Sequence, residues 1–349
     1  MMKLKSTLAL TALMTALAPV PAVTASTAQV QALPPQCSGT APIKCHFNVP
    51  AGNYQVTVDL GSATRSANTS MTVEARRQIL TPVSTAAGQF VSTSATVNVR
   101  VPEGQPTGQG GTGTAGLSIT LGGSAPAARS LTVTPASSPL VVYLAGDSTV
   151  CDQMLAPWTG WGQMMPASVR GGAVIANYGD SGESSGSFLN NRSLFPTMKP
   201  LVKSGDLVLI QFGHNDKSTS SSAFRDNLSR LINGVRERGG RPVLVTPPVR
   251  RQFSGSTLTR TALHVNGVGV DLPAVMRSLG RSANVPVIDL TAKSKALVES
   301  MGPSASQSLY LTREHGDNTH FSPYGGTEMA RLVLQGVREH NLPLVPFLR

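Results

Sequence analysis

Long hydrophobic runs are missing from this sequence beyond its first 25 residues. No later stretch approaches the roughly 20 continuous apolar residues that a transmembrane helix needs. Blocks of like charge are missing too: 29 Lys and Arg stand against 18 Asp and Glu, yet no run of five or more charges of one sign occurs. Aromatic residues make up only 5% of the chain and form no stacking motif among the basic residues. These absences argue against membrane insertion and against nucleic-acid binding.

An apolar stretch does occur at the N-terminus. Lys3 and Lys5 precede apolar residues 8–20, and the small residues 23–25 offer a cleavage point, so we predict a secretory signal at 1–25. The stretch is too short, and too interrupted by proline, to be a lasting membrane span. We therefore expect a mature protein that is secreted or periplasmic.

Cysteine is scarce, with three residues in a chain of 349. Cys37 and Cys45 lie eight positions apart near the predicted mature N-terminus, and an oxidising compartment favours a disulfide between them. Cys151 is left over. We interpret it as a packed free thiol rather than a redox group.

Residues 26–135 are rich in Thr, Ser, Val and Gly and contain short runs in which apolar and polar residues alternate. These runs lie at 54–60, 71–75, 96–101, 117–121 and 130–133. Alternation with turn residues at near-regular spacing predicts a β-sandwich domain over 26–135. The Gly- and Thr-rich stretch 106–116 is expected to be a flexible loop, and 134–139 to be the linker to a second domain, 136–349.

From residue 141 the pattern changes to short apolar runs without alternation, separated by segments compatible with helices. The runs lie at 141–145, 173–178, 207–212, 242–246 and 285–290. The clearest helices are predicted at 221–238, 272–283, 293–301 and 323–340. Strands that are buried on both faces are typical of parallel sheets covered by helices, so we predict a three-layer α/β domain with a five-stranded parallel sheet.

Polar residues follow the first three predicted strands. In an open parallel sheet, ligands bind beyond the carboxyl ends of the strands, where Ser148, Gly182 and Asn215 are found. Asp317 and His320 stand three apart just before the last helix. We predict that Ser148 is a nucleophile, that His320 is its general base and that Asp317 orients the imidazole. The backbone N–H groups of Ser148 and Gly182, with the Asn215 side-chain amide, would bind the oxyanion.

Four ordered blocks of this sequence resemble the SGNH or GDSL hydrolase superfamily, and more narrowly the rhamnogalacturonan acetylesterases. The blocks are 145–150, 160–162, 213–216 and 317–321, and the resemblance covers nearly all of 141–345. It implies a flavodoxin-like fold and removal of acetyl groups from a pectic polysaccharide without metal or cofactor. It also implies that Ser148, Gly182, Asn215 and His320 occupy the family's four defining positions. The N-terminal region is similar to the galactose-binding-like β-sandwich that precedes this domain in some bacterial members.

One block departs from the family's usual pattern. Glu183 and Gly186 stand where the family usually has arginines. If those arginines contact a galacturonate carboxylate, Glu183 would repel it. Arg192, Arg250 and Arg251 are candidates to compensate, and solvated surface is the alternative interpretation of these arginines. Acetylated xylan, another acetylated glycan or a small ester is therefore the alternative substrate.

Three further residues are candidate substrate contacts. Trp158 and Trp161 flank the first loop at the strand ends and are suited to stack on sugar rings. Packing is an equally good interpretation for Trp158 and the better one for Trp161, which lies between two glycines. His214 follows the third strand and is the remaining candidate. We expect the protein to be a monomer that binds an acetylated polysaccharide or oligosaccharide, and an acidic polymer suits its basic charge.

Two hypotheses of other classes remain open. A metal-dependent phosphoesterase would use His214, Asp216, His315, Asp317 and His320 as ligands for a divalent metal. Such enzymes usually begin with an Asp and a His two residues apart after the first strand, and that pair is not found here. The other hypothesis is a polysaccharide-binding protein with an inactive esterase domain.

Overall fold

The computed structural model describes residues 33–107 and 111–349, without the side chains of 111 and 112. The predicted secretory signal at 1–25 lies outside these residues. Antiparallel strands come first and an α/β part follows, and the described residues pack as one compact unit. Within these two ranges, no helix has the length and apolar character that crossing a bilayer requires.

The part of the chain before residue 136 consists of strands and turns. Its strands are β1 Cys37–Ser38, β2 Ile43–Phe47, β3 Gly52–Leu60, β4 Ala67–Val73, β5 Arg77–Thr85, β6 Val91–Val99, β7 Gly104–Gln105, β8 Gly111–Thr112, β9 Leu117–Ala125 and β10 Ala128–Pro135. They form a five-stranded sheet in the order β1-β2-β9-β4-β5 and a three-stranded sheet in the order β10-β3-β6. Alternate residues of β3, β4 and β9 are buried in one hydrophobic core between the sheets. The predicted β-sandwich is confirmed.

Some details of this part differ from the prediction. The pattern did not predict β5, because its buried Arg77 and internal Pro82 interrupt the apolar alternation. The stretch 106–116, expected to be a flexible loop, contains β8, which pairs with β7. Cys37 and Cys45 lie opposite each other in the β1–β2 register and are disulfide-bonded, as predicted.

The α/β part is built on five parallel strands. They are β11 Leu140–Gly146, β12 Ala173–Asn177, β13 Leu207–Gln211, β14 Arg241–Val245 and β17 Val287–Ile288, in the order β12-β11-β13-β14-β17. A short hairpin, β15 Phe253–Ser254 with β16 Thr257–Leu258, lies outside this sheet. This strand order is the flavodoxin-like one, and the predicted five-stranded parallel sheet is confirmed.

Helices cover both faces of the parallel sheet. They are α1 Trp161–Met164, α2 Ser185–Asn190, α3 Phe195–Met198, α4 Ser221–Arg236, α5 Leu272–Ala283, α6 Leu290–Ala305, α7 Thr312–His315 and α8 Pro323–Glu339, with 3₁₀ turns at Met165–Ser168, Lys199–Leu201, Ser306–Leu309 and Val345–Phe347. Helices α1, α6 and α8 share one hydrophobic cluster, and α2 to α5 share the other. The three predicted layers are therefore present, and the four predicted helices correspond to α4, α5, α6 and α8.

The boundary between the two parts falls between β10 and β11. Strand β10 ends at Pro135 and β11 begins at Leu140, so the predicted linker 134–139 joins two different sheets. That 26–135 and 136–349 are separate domains stays a prediction. The loops after β11, β12 and β13 meet at the carboxyl ends of the parallel strands. Residues 316–322, just before α8, lie next to these loops.

Candidate active site

The turn that carries Ser148 is held by a buried carboxylate. Asp147, directly after β11, is fully buried and accepts hydrogen bonds from the Thr149 backbone N–H at 2.9 Å, the Thr149 hydroxyl at 2.7 Å and Gln211 Nε2 at 3.0 Å. Burial opposes ionisation, yet nearby His214 and the Thr149 hydrogen bonds lower the pKa of Asp147 to about 2. Ser148 is thus presented at the sheet edge on a fixed turn.

Ser148, His320 and Asp317 form a continuous hydrogen-bonded chain. The Ser148 hydroxyl lies 2.8 Å from His320 Nε2, and His320 Nδ1 lies 2.6 Å from Asp317 Oδ2. Asp317 Oδ1 also accepts the backbone N–H groups of Thr319 at 2.8 Å and His320 at 3.0 Å. Partial burial opposes ionisation of Asp317, but the hydrogen bonds from His320 and Thr319 outweigh it and hold its pKa well below the ordinary value. With Nδ1–H donated to Asp317, Nε2 is free to accept the Ser148 proton.

The residues of the three predicted oxyanion donors, Ser148, Gly182 and Asn215, lie together at one cleft. Among the described residues, no acceptor is found for the backbone N–H groups of Ser148 and Gly182. Gly182 has a φ of +84°, in the left-handed region of backbone conformation that favours glycine over other residues. Asn215 Nδ2 donates to the Glu183 carbonyl at 3.1 Å, which fixes the amide and leaves a second N–H for a ligand.

These groups open into one cleft of about 390 Å³. The residues that line it are Gln105, Ser148, Gln153, Met154, Leu155, Trp158, Ser181, Gly182, Asn215 and His320. Trp158 is partly exposed in its wall, and its indole stacks on His315 with ring centroids 4.3 Å apart. The cleft therefore combines the reactive groups with an aromatic surface.

Trp161 does not reach this cleft. Its side chain is completely buried, and its Nε1 donates to Gln211 at 2.8 Å. A Cβ on neighbouring Gly162 would lie 2.5 Å from the Val150 carbonyl oxygen, so the segment of Trp161 and its glycines packs against the turn that carries Ser148. The prediction of a substrate contact at Trp161 is wrong, and the packing interpretation holds.

Three other candidate contacts also lie outside the cleft lining. Glu183 is buried, with 6% of its surface exposed, and takes part in the site through its carbonyl rather than its carboxylate. His214 is buried beside Asp147 and lines a separate cavity of about 260 Å³. Arg192 is exposed beyond the end of α2 and lines neither cavity. The predictions of direct contact at Glu183 and His214 are corrected, because burial removes both side chains from the cleft. Contact of a longer substrate with Arg192 stays a prediction.

The residues of the metal hypothesis do not converge. Asp216 accepts a hydrogen bond from the Ser185 hydroxyl at 2.6 Å, and His315 stacks on Trp158. Within 33–107 and 111–349, no three His, Cys, Asp or Glu side chains form a group able to hold a metal ion. Asp317 and His320 are instead directed to Ser148.

Cys151 is a free, buried thiol next to the turn that carries Ser148. Its Sγ lies 3.5 Å from the Ser181 hydroxyl, and burial raises its pKa above the ordinary value. The packing interpretation is confirmed.

Two glutamines near Ser148 were not predicted. Gln153 Nε2 donates to the Ser148 carbonyl at 2.8 Å, and Gln105 lines the cleft from β7 in the N-terminal part. Gln153 stands five residues after Ser148, which is a weak signal for a role in the loop. Nothing in the local sequence points to Gln105, because only the tertiary fold brings β7 to this edge.

Comparisons with known proteins identify a family and relatives of this chain. A family model described as the GDSL-like lipase/acylhydrolase family matches residues 144–326. The chain is 38% identical over 222 residues to the rhamnogalacturonan acetylesterase RhgT of Bacillus subtilis, covering 59% of this chain and 93% of RhgT. It is 32% identical over 219 residues to the probable rhamnogalacturonan acetylesterase YesY of the same organism, covering 58% and 94%.

The fold has a solved relative that extends into the N-terminal part. The crystal structure of the B. subtilis protein YxiM matches with a TM-score of 0.55 and 22% identity, covering 87% of this chain and 81% of that one. This likeness concerns the fold, and it includes strands that precede the family match.

Proposed function

Because this chain belongs to the GDSL-like lipase/acylhydrolase family and is a carboxylic ester hydrolase, we propose that it is an exported serine esterase that deacetylates a pectic polysaccharide. The observation that carries the proposal is the hydrogen-bonded chain from Asp317 through His320 to Ser148 at the floor of an open cleft. Relatives named as rhamnogalacturonan acetylesterases match over more than nine tenths of their own length, which supports the acetylated pectic substrate.

In the proposed mechanism, the Ser148 oxygen attacks the acetyl carbonyl while His320 Nε2 takes the hydroxyl proton. The resulting oxyanion accepts hydrogen bonds from the Ser148 and Gly182 N–H groups and from the Asn215 amide. Collapse of this intermediate breaks the bond between the acetyl carbon and the sugar oxygen, and His320 gives the proton to that oxygen, which leaves as a sugar hydroxyl. Water, deprotonated by His320, then cleaves the acetyl-serine, which releases acetate and restores Ser148.

The cleft wall suits a sugar chain. Trp158 offers a partly exposed indole, and Met154 and Leu155 add apolar surface to the lining of the cleft. The charge of the chain supports an acidic polymer: removal of Lys3 and Lys5 with the predicted signal leaves 27 − 18 = +9. A positive field raises the local concentration of a polyuronate. The Cys37–Cys45 disulfide is compatible with export to an oxidising compartment.

Acetate release from a panel of substrates tests the proposal. Acetylated rhamnogalacturonan, acetylated xylan and small aryl acetates are compared with the parent protein and with Ser148→Ala. We expect the highest kcat/KM on acetylated rhamnogalacturonan and a loss of at least about 10³-fold in kcat for Ser148→Ala, since the nucleophile is gone. Its melting temperature should stay close to that of the parent.

Two outcomes would change the conclusion in different ways. Activity that survives Ser148→Ala but is lost on treatment with a chelator would contradict the serine mechanism. A preference for xylan or for short esters would contradict the pectic substrate and leave the mechanism in place.

A further inference from the structure

A residue of the N-terminal β part lies in the cleft. Gln105, in β7, is 1% exposed and is among the residues lining the space around Ser148. Its Oε1 accepts the Ser181 backbone N–H at 3.3 Å, and its Nε2 donates to Gln153 Oε1 at 3.2 Å. One side chain thus contacts two different loops of the α/β part.

Both of those loops carry an oxyanion donor. Ser181 directly precedes Gly182, and Gln153 Nε2 donates to the Ser148 carbonyl at 2.8 Å. The hydrogen bonds therefore run from the Gly182 loop through Gln105 and Gln153 to the nucleophile turn. They connect the segments whose N–H groups must converge on a single oxygen atom.

Strand β7 is itself fixed to both loops by charged groups. Arg77 is 1% exposed and contacts Glu103, two residues before Gln105, at 3.1 Å and Asp152, next to Gln153, at 2.7 Å. After β7, Thr107 donates its backbone N–H and its hydroxyl to Asp180, at 3.1 and 2.9 Å. Residues on either side of Gln105 are therefore fixed to the two loops that Gln105 itself contacts.

We propose that Gln105 is a positioning residue of the hydrolytic site, which sets the separation between the Ser148 and Gly182 N–H groups. The N-terminal β part thereby completes the oxyanion hole of the α/β part. Donors act on a developing charge only when they are held within about 0.5 Å of the productive geometry. This inference rests on the proposed serine mechanism, because it assigns Gln105 an effect on the transition state of that reaction.

The test compares Gln105→Leu with Gln55→Leu on an aryl acetate. Leucine approximates the volume of glutamine but makes neither hydrogen bond. Gln55, a control on β3 of the same β part, accepts a hydrogen bond from Thr96 and does not line the cleft. The concentration of competent sites is taken from the final stoichiometry of covalent labelling of Ser148 by a fluorophosphonate, so that misfolded molecules are not counted.

We expect Gln105→Leu to lower kcat per labelled site by about 10- to 100-fold, less than the loss of a whole oxyanion donor, with KM within about 2-fold of the parent. The acidic limb of its pH profile should not move, because Gln105 does not contact His320. Gln105→Asn, too short to span both loops, should change kcat in the same direction and replaces Gln105→Leu if that variant does not fold. Gln55→Leu should keep the parent kcat.

A kcat per labelled site within about 2-fold of the parent in the Gln105 variants would overturn the inference, as would an increase in KM alone. Retained activity in Ser148→Ala would contradict the proposed function, whatever the result for the Gln105 variants. Loss of activity in Ser148→Ala together with a normal Gln105→Leu would reject only the role of Gln105.

Discussion

At the scale of single residues, the reactive side chains are held by short hydrogen bonds made close to them in sequence. Asp317 accepts the imidazole and the backbone N–H of His320, three residues later. Asp147 accepts both donors of Thr149 in the same manner. Such local contacts follow from spacing, and for that reason the Asp317–His320 pair and the turn at Ser148 could be predicted before the fold was known. The contact between Ser148 and His320, 172 residues apart in sequence, depends on the fold. The position of Trp161 was less predictable, because its burial depends on which segments pack over it.

Asp317→Asn tests the role of this carboxylate. The amide cannot accept the Nδ1 proton with the same strength and favours the wrong imidazole tautomer, so we expect kcat to fall by about 10³- to 10⁴-fold on an aryl acetate. Asp226→Asn, at an exposed aspartate of α4, is the matched control and should leave kcat unchanged. Similar kcat values in the two variants would contradict the assigned role.

The same variant has a pH signature in stability. The pKa of Asp317 is lower in the folded chain than the value of about 3.9 expected when unfolded. Its ionised form therefore stabilises the fold above about pH 4, and this contribution is lost as the pH falls through the folded value. Denaturation should show Asp317→Asn less stable than the parent at pH 7, with a difference that narrows under acid conditions.

At the scale of elements, α8 determines where the loop with His320 ends. Ser322 caps the helix by accepting the Gly325 N–H at 3.1 Å, and Pro323 follows as the first helical residue. The capping pattern in the sequence predicted this start correctly. The capping pattern did not predict that Gly325 packs against the 3₁₀ turn Ser306–Leu309. Close packing of two distant segments produces no pattern in the sequence of either segment.

Gly325→Ala tests that approach. A Cβ at this position would lie 1.7 Å from the Leu309 carbonyl oxygen, so the helix start or the turn has to move. We expect a loss of about 2 kcal/mol or more in the free energy of unfolding, measured by urea denaturation. Gly171→Ala is the matched control, since its nearest neighbour lies 3.8 Å away. Equal stability of both variants would show that α8 adapts without cost.

At the scale of the whole molecule, a buried charge cluster joins the β part to the nucleophile loop. Arg77 of β5 contacts Glu103 and Asp152 and donates to the Asn98 carbonyl at 2.9 Å. Burial opposes its charge, but the two carboxylates outweigh it and raise the pKa of Arg77 further. Buried charged residues from separate parts of the sequence thus pair with one another, and no local sequence pattern could indicate this pairing.

Arg77→Met should destabilise the protein by about 3–5 kcal/mol, because two buried carboxylates lose their partner. Arg129→Met is the control: Arg129 pairs with Asp59 at the surface and has 48% of its side chain exposed, so its loss should cost less than about 1 kcal/mol. Urea denaturation measures both. Equal losses in the free energy of unfolding would mean that the buried cluster stabilises the protein no more than a surface ion pair does.

Glu74 gives the molecule a second pH dependence. Burial, together with the nearby Glu103, raises the pKa of Glu74 to about 8. Between the unfolded value of about 4.3 and pH 8 the folded state binds more protons than the unfolded state, so stability falls as the pH rises. Glu74→Gln removes this loss of stability. The melting temperature of the variant should exceed that of the parent at pH 8 but match it near pH 4. Glu314→Gln, at an exposed glutamate, should instead give a curve parallel to the parent's.

The sequence by itself determined the five parallel strands and four of the helices of the α/β part, the alternating strands typical of a sandwich in the N-terminal part, and the Asp317–His320 pair. Alternation, capping and short spacing are local properties, and they act through neighbours along the chain. Only the tertiary structure decided that Trp161 and Glu183 are withdrawn from the cleft and that Gln105 lies within it. The physical reason is that burial and hydrogen bonds between distant segments depend on how sheets and loops pack, and β7 meets the nucleophile loop through contacts that no single segment encodes.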